Sequence, residues 1–428
     1  MKNNILAVLL TFIALVGLAQ EKKDAPLFGI SFSGFVKTDL YYDARQTVNI
    51  REGHFLLYPD NEKLDVNGKD VNANGQLGIL AIQSRLSGKI TGPDVLKAKT
   101  SALLEGDFFG NENGNFSDVN GFRLRHAIVK LNWATSELLV GQFWHPLFVH
   151  DCFPDVVSFN TGAPFQPFSR NPQIRFTQKF GGLKMVAAAA EQRDFTSNGP
   201  DGANNKYLRN SVLPDLNFHV QYLLPLGENK DLFMGVGVEY KQLTPQLFAA
   251  ADKNLADKKD SIYVASTEKV SSFAVAGYAK LRLKTVTLKS YAIYGGNLFD
   301  LVMLGGYATG SLVDASQNRY DYMPIRTFSC WSELSTNGKI QFGVFGGFSK
   351  NLGTDGVNGG KYYSRGTNID FVYRVSPRMV FNFEKLRISA EMEYTTANYG
   401  KANTMGEVVD NLKTQSNVRA LLAFYYFF

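Results

Sequence analysis

The chain has 428 residues, a formal net charge of +6, 45% hydrophobic residues, and 39 Gly, 33 Phe and 20 Tyr. A charge this mild, with no Lys/Arg block, excludes the usual electrostatic footprint of a nucleic-acid binder. Two cysteines exclude a disulfide scaffold; Cys152 and Cys330 read as two unpaired thiols, with one disulfide as the alternative.

Lys2, an apolar run over 5–18, and the small residues Gly17 and Ala19 ahead of Gln20 form a secretory signal over 1–19. That leaves a single domain over 20–428. No later segment approaches the roughly 18 uninterrupted apolar residues of a spanning helix. Only helices and closed barrels satisfy every backbone group in lipid, so an exported membrane protein of this kind must be a barrel. Abundant aromatics without long apolar runs fit alternate residues facing lipid.

In chain order, the first strand puts Ile30, Phe32, Gly34, Val36, Thr38 and Leu40 on one face, and Ser31, Ser33, Phe35, Lys37, Asp39 and Tyr41 on the other. Charge falls on one parity only, so that face is wet and the other can meet lipid. The pattern recurs over 96–108, 273–284 and 386–395. Long polar connections near 45–73, 110–120, 146–171, 194–213, 243–270, 296–324, 350–365 and 399–415 alternate with short ones near 91–94, 133–136, 181–182, 226–230, 284–285, 335–338 and 384–386. Eight long loops and seven short turns predict an all-β, transmembrane antiparallel barrel of about sixteen strands. Segment 296–312 could be a further strand, and 366–383 could split at Ser376-Pro377. The final strand places Val418, Ala420, Leu422, Phe424, Tyr426 and Phe428 on one parity, an aromatic end suited to recognition by a barrel-assembly machinery.

The third long loop, 146–171, is rich in Phe and Pro. A loop this apolar wants burial, so it is expected to fold into the lumen and narrow it. On the flanking strands Phe122, Leu124 and Ile128 take one parity and Arg123 and Arg125 the other; Ile174 and Phe176 alternate with Gln173, Arg175 and Thr177. Arginine facing lipid near midplane costs a few kcal/mol, so Arg123, Arg125, Arg170 and Arg175 are expected to point inward and favour anions. Gln142, Trp144, Asp39 and Glu105 complete the predicted pore wall. The alternative is a wet lumen face in which the arginines pair with Asp39, Glu105 or Asp107 and select nothing.

The run Phe122-Arg-Leu-Arg-His126, then Val140-Gly-Gln-Phe-Trp144, then Ser158-Phe-Asn-Thr-Gly-Ala163, then Arg170-Asn-Pro-Gln-Ile-Arg-Phe176 resembles the DcaP-like porins of Gram-negative bacteria. The resemblance is strongest over about 120–180 and weaker near 295–307 and the C-terminus. It implies a trimer of sixteen-stranded barrels in the outer membrane, taking up small and often anionic molecules. Arg123, Arg125, Arg170 and Arg175 match the family's basic lumen residues. The chain departs from the family in lacking the helical N-terminal extension of some members and in carrying His150 and Cys152 in its loop.

Other signals are weak. The stretch from Asp70 to Gly75 opens like a calcium loop, but its twelfth position is Ala81; a polar outer loop explains it better. His145, His150, Asp151 and Cys152 match no closed zinc spacing. No catalytic motif, cofactor signature or metal site is expected. The reading is a diffusion porin for small polar, anionic solutes, with membrane lipid as its surroundings. One alternative is a substrate-specific channel whose site is built from aromatics such as Phe35, Tyr41, Trp144 and Phe165. An outer-membrane hydrolase using His126 or His219 is another.

Overall fold

A computed structural model describes residues 28–110, 121–252, 261–314 and 319–428. The proposed signal over 1–19, and parts of the second, fifth and sixth long loops, lie outside the described residues.

The chain closes into a sixteen-stranded antiparallel barrel. The strands are β1 (Gly29–Asp43), β2 (Gln76–Leu80 and Arg85–Thr91, interrupted by a turn), β3 (Lys99–Asp107), β4 (Arg123–Asn132), β5 (Ser136–Trp144), β6 (Arg170–Phe180), β7 (Leu183–Ala190) and β8 (Asp215–Gly227). They continue as β9 (Lys230–Leu243), β10 (Val270–Arg282), β11 (Val286–Gly296), β12 (Arg319–Thr336), β13 (Ile340–Asn351), β14 (Ile369–Phe383), β15 (Leu386–Ala402) and β16 (Val408–Phe427). Each strand pairs with the next. Closure comes from β1 against β16, with Phe35 opposite Phe427 and Asp43 opposite Arg419. A closed ladder leaves no edge.

Parity follows the expected alternation. In β1, Lys37, Asp39, Tyr41 and Asp43 are buried while Val36, Leu40 and Tyr42 face outward. Phe32 and Phe273 on the outer wall are each 70% exposed, and Leu104, Val129, Ile174, Val236, Val344 and Met392 continue the belt. An apolar surface that encircles the molecule belongs in hydrocarbon.

Four details correct the sequence reading. Ile128 is buried inward, not outward: a β-bulge opposite Glu105/Gly106 adds a residue at Arg125, so parity reverses after it. Segment 296–312 adds no barrel strand; Gly305–Asp314 pairs with the outer end of β12 and with Tyr362–Arg365 above the wall. Residues 369–383 run as one strand through Pro377, which lies opposite Val344. The last connection is short, because β15 and β16 stay paired as far as Ala402 and Val408.

Candidate functional site

The third loop crosses the lumen, as expected from its composition. Leu147, Phe148, Cys152, Phe159, Ala163, Phe165 and Phe168 are all buried. Its backbone is held by acids on the far wall. Glu391 on β15 accepts the Val157 N–H at 2.6 Å and the Ser158 N–H at 3.3 Å; Glu333 on β12 accepts the Asp155 N–H at 2.7 Å; Glu393 accepts from Asn160 Nδ2 at 2.8 Å. An aromatic shelf supports its other side: Tyr291 donates to the Leu147 carbonyl at 2.9 Å, and Trp331 Nε1 donates to Gln166 at 2.6 Å.

The first loop also turns inward, which the sequence reading did not anticipate. Phe55, Leu56, Leu57 and Tyr58 are buried. Arg374 on β14 joins the two loops: Nη1 donates to the Ala163 carbonyl at 2.9 Å, and Nη2 to the Leu57 and Leu56 carbonyls at 2.8 and 3.2 Å.

The predicted arginines come together, but as an ion-paired ladder. Arg125 bonds Glu105 at 2.8 Å and Asp107 at 2.9 Å; Arg123 bonds Asp107 at 2.7 Å and Asp194 at 3.2 Å; Arg170 bonds Asp194 at 2.6 Å. Arg85 approaches Glu105 at 3.6 Å, and Arg51 reaches Asp194 at 3.2 Å. Among the described residues, five guanidinium groups thus meet on the carboxylates Glu105, Asp107 and Asp194. Burial pushes the Asp194 carboxyl up, but Arg170, Arg51 and Arg123 outweigh it and hold it well below the usual carboxylate range.

Arg175 stands apart, donating to Gln173 Oε1 at 2.9 Å and to the Trp144 carbonyl at 2.6 Å. Gln142 spends its amide on the Leu124 and Arg125 carbonyls at the bulge. Trp144 stacks on Phe148 with centroids 3.9 Å apart, beneath the Arg170 guanidinium at 5.0 Å. Asp39 pairs with Lys37 at 3.1 Å and with His54, not with an arginine.

The four aromatics proposed for a binding surface are not gathered into one: Trp144 lines the cavity below the third loop and the other three do not. Phe35 packs on Tyr425 and Phe427, Tyr41 donates to the Glu52 carbonyl, and Phe165 is fully buried. The four loop residues considered for a metal are likewise separated. Asp151 pairs with Lys184 at 3.0 Å, His150 lies among Phe143 and Phe153, and Cys152 Sγ donates to the Ala279 carbonyl at 3.4 Å. His145 instead meets Asp215 at 3.2 Å and Glu239 at 3.9 Å. Its Nδ1 accepts the Leu147 N–H at 3.2 Å, which leaves the ring proton on Nε2 facing the carboxylates, where a metal would need a lone pair. The Lys241 ammonium supplies one positive charge to that corner, 2.6 Å from Asp300 and 3.2 Å from Glu239. Asp70 caps the turn at Val71–Ala73, consistent with a polar outer loop.

Both cysteines are free, and burial pushes the Cys152 thiol up to about 11. A maleimide should therefore leave Cys152 unlabelled at pH 7 in the folded barrel and label it after denaturation. Fast labelling of native protein at Cys152 would mean that the third loop is not seated as described.

Between the third loop and the short-turn rim lies a cavity of about 520 Å³, whose lining includes Arg85, Arg125, Arg378 and Arg387; Asp155 is its one carboxylate among the described residues. A second recess of about 430 Å³ lies beneath Asp151, lined by Lys179, Lys184, Lys280 and Arg282 with Asp231. Arg378 and Arg387 were missed from sequence because they sit on β14 and β15, more than 200 residues from the loop they face; their inward parity was the only available signal.

No protein-family model and no curated protein matches the sequence. Among solved structures, the outer membrane channel DcaP of Acinetobacter baumannii is similar at 17% identity and a TM-score of 0.65, over 96% of this chain and 100% of that one. The chain has the fold of an outer-membrane channel. An anion-selective porin from Comamonas acidovorans is similar at 11% identity and a TM-score of 0.53, over 94% of this chain and 100% of that one. The trimer form of OmpT, an outer membrane protein of Vibrio cholerae, is similar at 10% identity and a TM-score of 0.53, over 95% and 100%.

Proposed function

We propose that this barrel is an outer-membrane porin that passes small anionic solutes. One observation carries the reading: below the third loop cations outnumber carboxylates, with Lys179, Lys280 and Arg387 outside any ion pair among the described residues while Arg378, Lys184 and Arg282 face Glu333, Asp151 and Asp231. A narrow, low-dielectric passage lined by one sign of charge concentrates ions of the other. The field resides in this vestibule more than in the arginines beside the loop, whose charge Glu105, Asp107 and Asp194 largely absorb. The similar Comamonas porin is anion-selective, which points the same way.

Partners follow from the same reading: membrane lipid around the belt, a trimer like that of OmpT, and the assembly machinery at Phe428, whose ring is exposed at the β16 end. A hydrolase gains no support from His126 or His219. His126 lies 3.8 Å from Glu105 and His219 bonds the Tyr278 hydroxyl at 3.1 Å; neither ring bonds a serine, threonine or cysteine among the described residues.

The test is a single-channel reversal potential under a KCl gradient, using protein whose oligomer is measured by light scattering in the same detergent. Chloride preference from a trimer is expected. Potassium preference would refute the anionic reading, and a monodisperse monomer would refute the trimer.

A further inference from the structure

The cavity beneath the third loop already holds an anion of its own. Asp155 lies on the loop, its side chain 49% exposed, and its carboxylate reaches Lys289 Nζ at 2.6 Å and Arg378 at 3.8 Å. Its backbone is fixed separately, since the Asp155 N–H donates to Glu333 at 2.7 Å. The carboxylate can therefore swing away from its cationic partners without moving the loop.

Arg378 is short of acceptors. Its side chain is 1% exposed, its Nη2 meets Glu333 at 3.3 Å, and its Nε and Nη1 have no hydrogen-bond partner among the described residues. The recess that holds it is made by a missing side chain: a Cβ at Gly343, its cross-strand partner on β13, would come within 2.1 Å of Nη1. A buried guanidinium with unmade hydrogen bonds is costly unless an anion completes it. Arg387 and Ser389 line the same cavity, whose roughly 520 Å³ is of the size of small-molecule sites.

We infer that Lys289 and Arg378 form an oxyanion subsite in the lumen, and that Asp155 is its internal, displaceable occupant. A permeating carboxylate or phosphate takes the place of the Asp155 carboxylate on the two cations, and Asp155 returns to its seat when the solute leaves. Resting occupancy by a tethered carboxylate keeps the subsite from becoming a trap, because each solute must compete with a group of its own chemistry. The inference rests on the anionic reading above and adds a specific site to it.

The experiment is block of single-channel current by citrate, and separately by inorganic phosphate, in symmetric KCl. Asp155→Asn removes the competitor and should tighten the block constant about tenfold, the scale of one charge-assisted hydrogen bond. Arg378→Gln should weaken block by at least about tenfold on the same scale. Gly343→Ala, which pushes the guanidinium out of its recess while leaving its charge in place, should weaken block in the same direction. Tighter block in Asp155→Asn with weaker block in the other two supports the subsite. Block unchanged in Asp155→Asn, in a channel that still prefers chloride, overturns the internal occupant alone. Block indifferent to both Arg378→Gln and Gly343→Ala overturns the subsite. A wild-type channel that prefers potassium removes the anionic reading beneath both, and is seen in the reversal potential before any solute is added.

Discussion

Replacing Arg374 with alanine is expected to release two loops at once. Its guanidinium bonds the Ala163 carbonyl of the third loop and the Leu56 and Leu57 carbonyls of the first, while Nε is fixed by Thr395 at 2.8 Å and Nη1 lies 3.4 Å from Glu393. Truncation strands three carbonyls and leaves Glu393 with Arg419 at 4.0 Å as its remaining cationic neighbour among the described residues. Breaking a buried pair from one side costs about 3–5 kcal/mol, so stability in urea should fall on that scale. The barrel ladder itself is untouched and should stay closed. The functional signature is larger and noisier single-channel current, because both loops that occupy the lumen lose an anchor. Arg374→Lys keeps the charge but not the fork, and one ammonium cannot reach both loops in the same geometry; it should lie between the two. Quiet current at wild-type conductance in Arg374→Ala would show that the loops are held without it.

The architecture was legible in sequence wherever two-residue alternation and turn residues agreed, as they do in β1 and β16. The inward third loop was legible too, because a run of Phe and Pro in a connection has nowhere else to go. The first loop carried a similar signal in Phe55-Leu-Leu-Tyr-Pro59, an apolar run within an otherwise polar stretch, but the surrounding Asn, Asp and Gly masked it. The bulge at Arg125 was not legible: one extra residue leaves no trace in composition, yet it moves Ile128 from the lipid side to the lumen. Glu105 and Asp107 stood among the possible partners of the arginines, but the more distant partners were not legible. Arg170 meets Asp194 from the next long loop, and Arg374, Arg378 and Glu391 engage the third loop from strands more than 200 residues away. Parity says that a side chain faces inward; only the closed register says what it faces. For that reason the sequence put Arg123, Arg125 and Arg170 on the inner wall while leaving open whether they pair or select.

That distinction sets the second large effect. Lys280→Glu combined with Arg387→Glu should lower the chloride-to-potassium permeability ratio severalfold. Both side chains line the recesses below the third loop, Lys280 over the Phe233 ring at 5.8 Å and Arg387 bonded to Asn382 at 2.8 Å, and neither makes an ion pair among the described residues. Their charge is thus available to permeant ions. Reversing Arg123 is a poorer test, since it would set a new carboxylate against Asp107 and Asp194, and lost folding would be confused with lost selectivity. A field effect also has a salt signature. The screening length is about 10 Å at 0.1 M and about 3 Å at 1 M, so the gap between wild type and the double variant should narrow as KCl is raised. A gap that persists at 1 M would mean that the two residues bind anions directly. A gap absent at both concentrations would mean that selection occurs elsewhere, with the ladder at Arg85, Arg123 and Arg125 the next place to look.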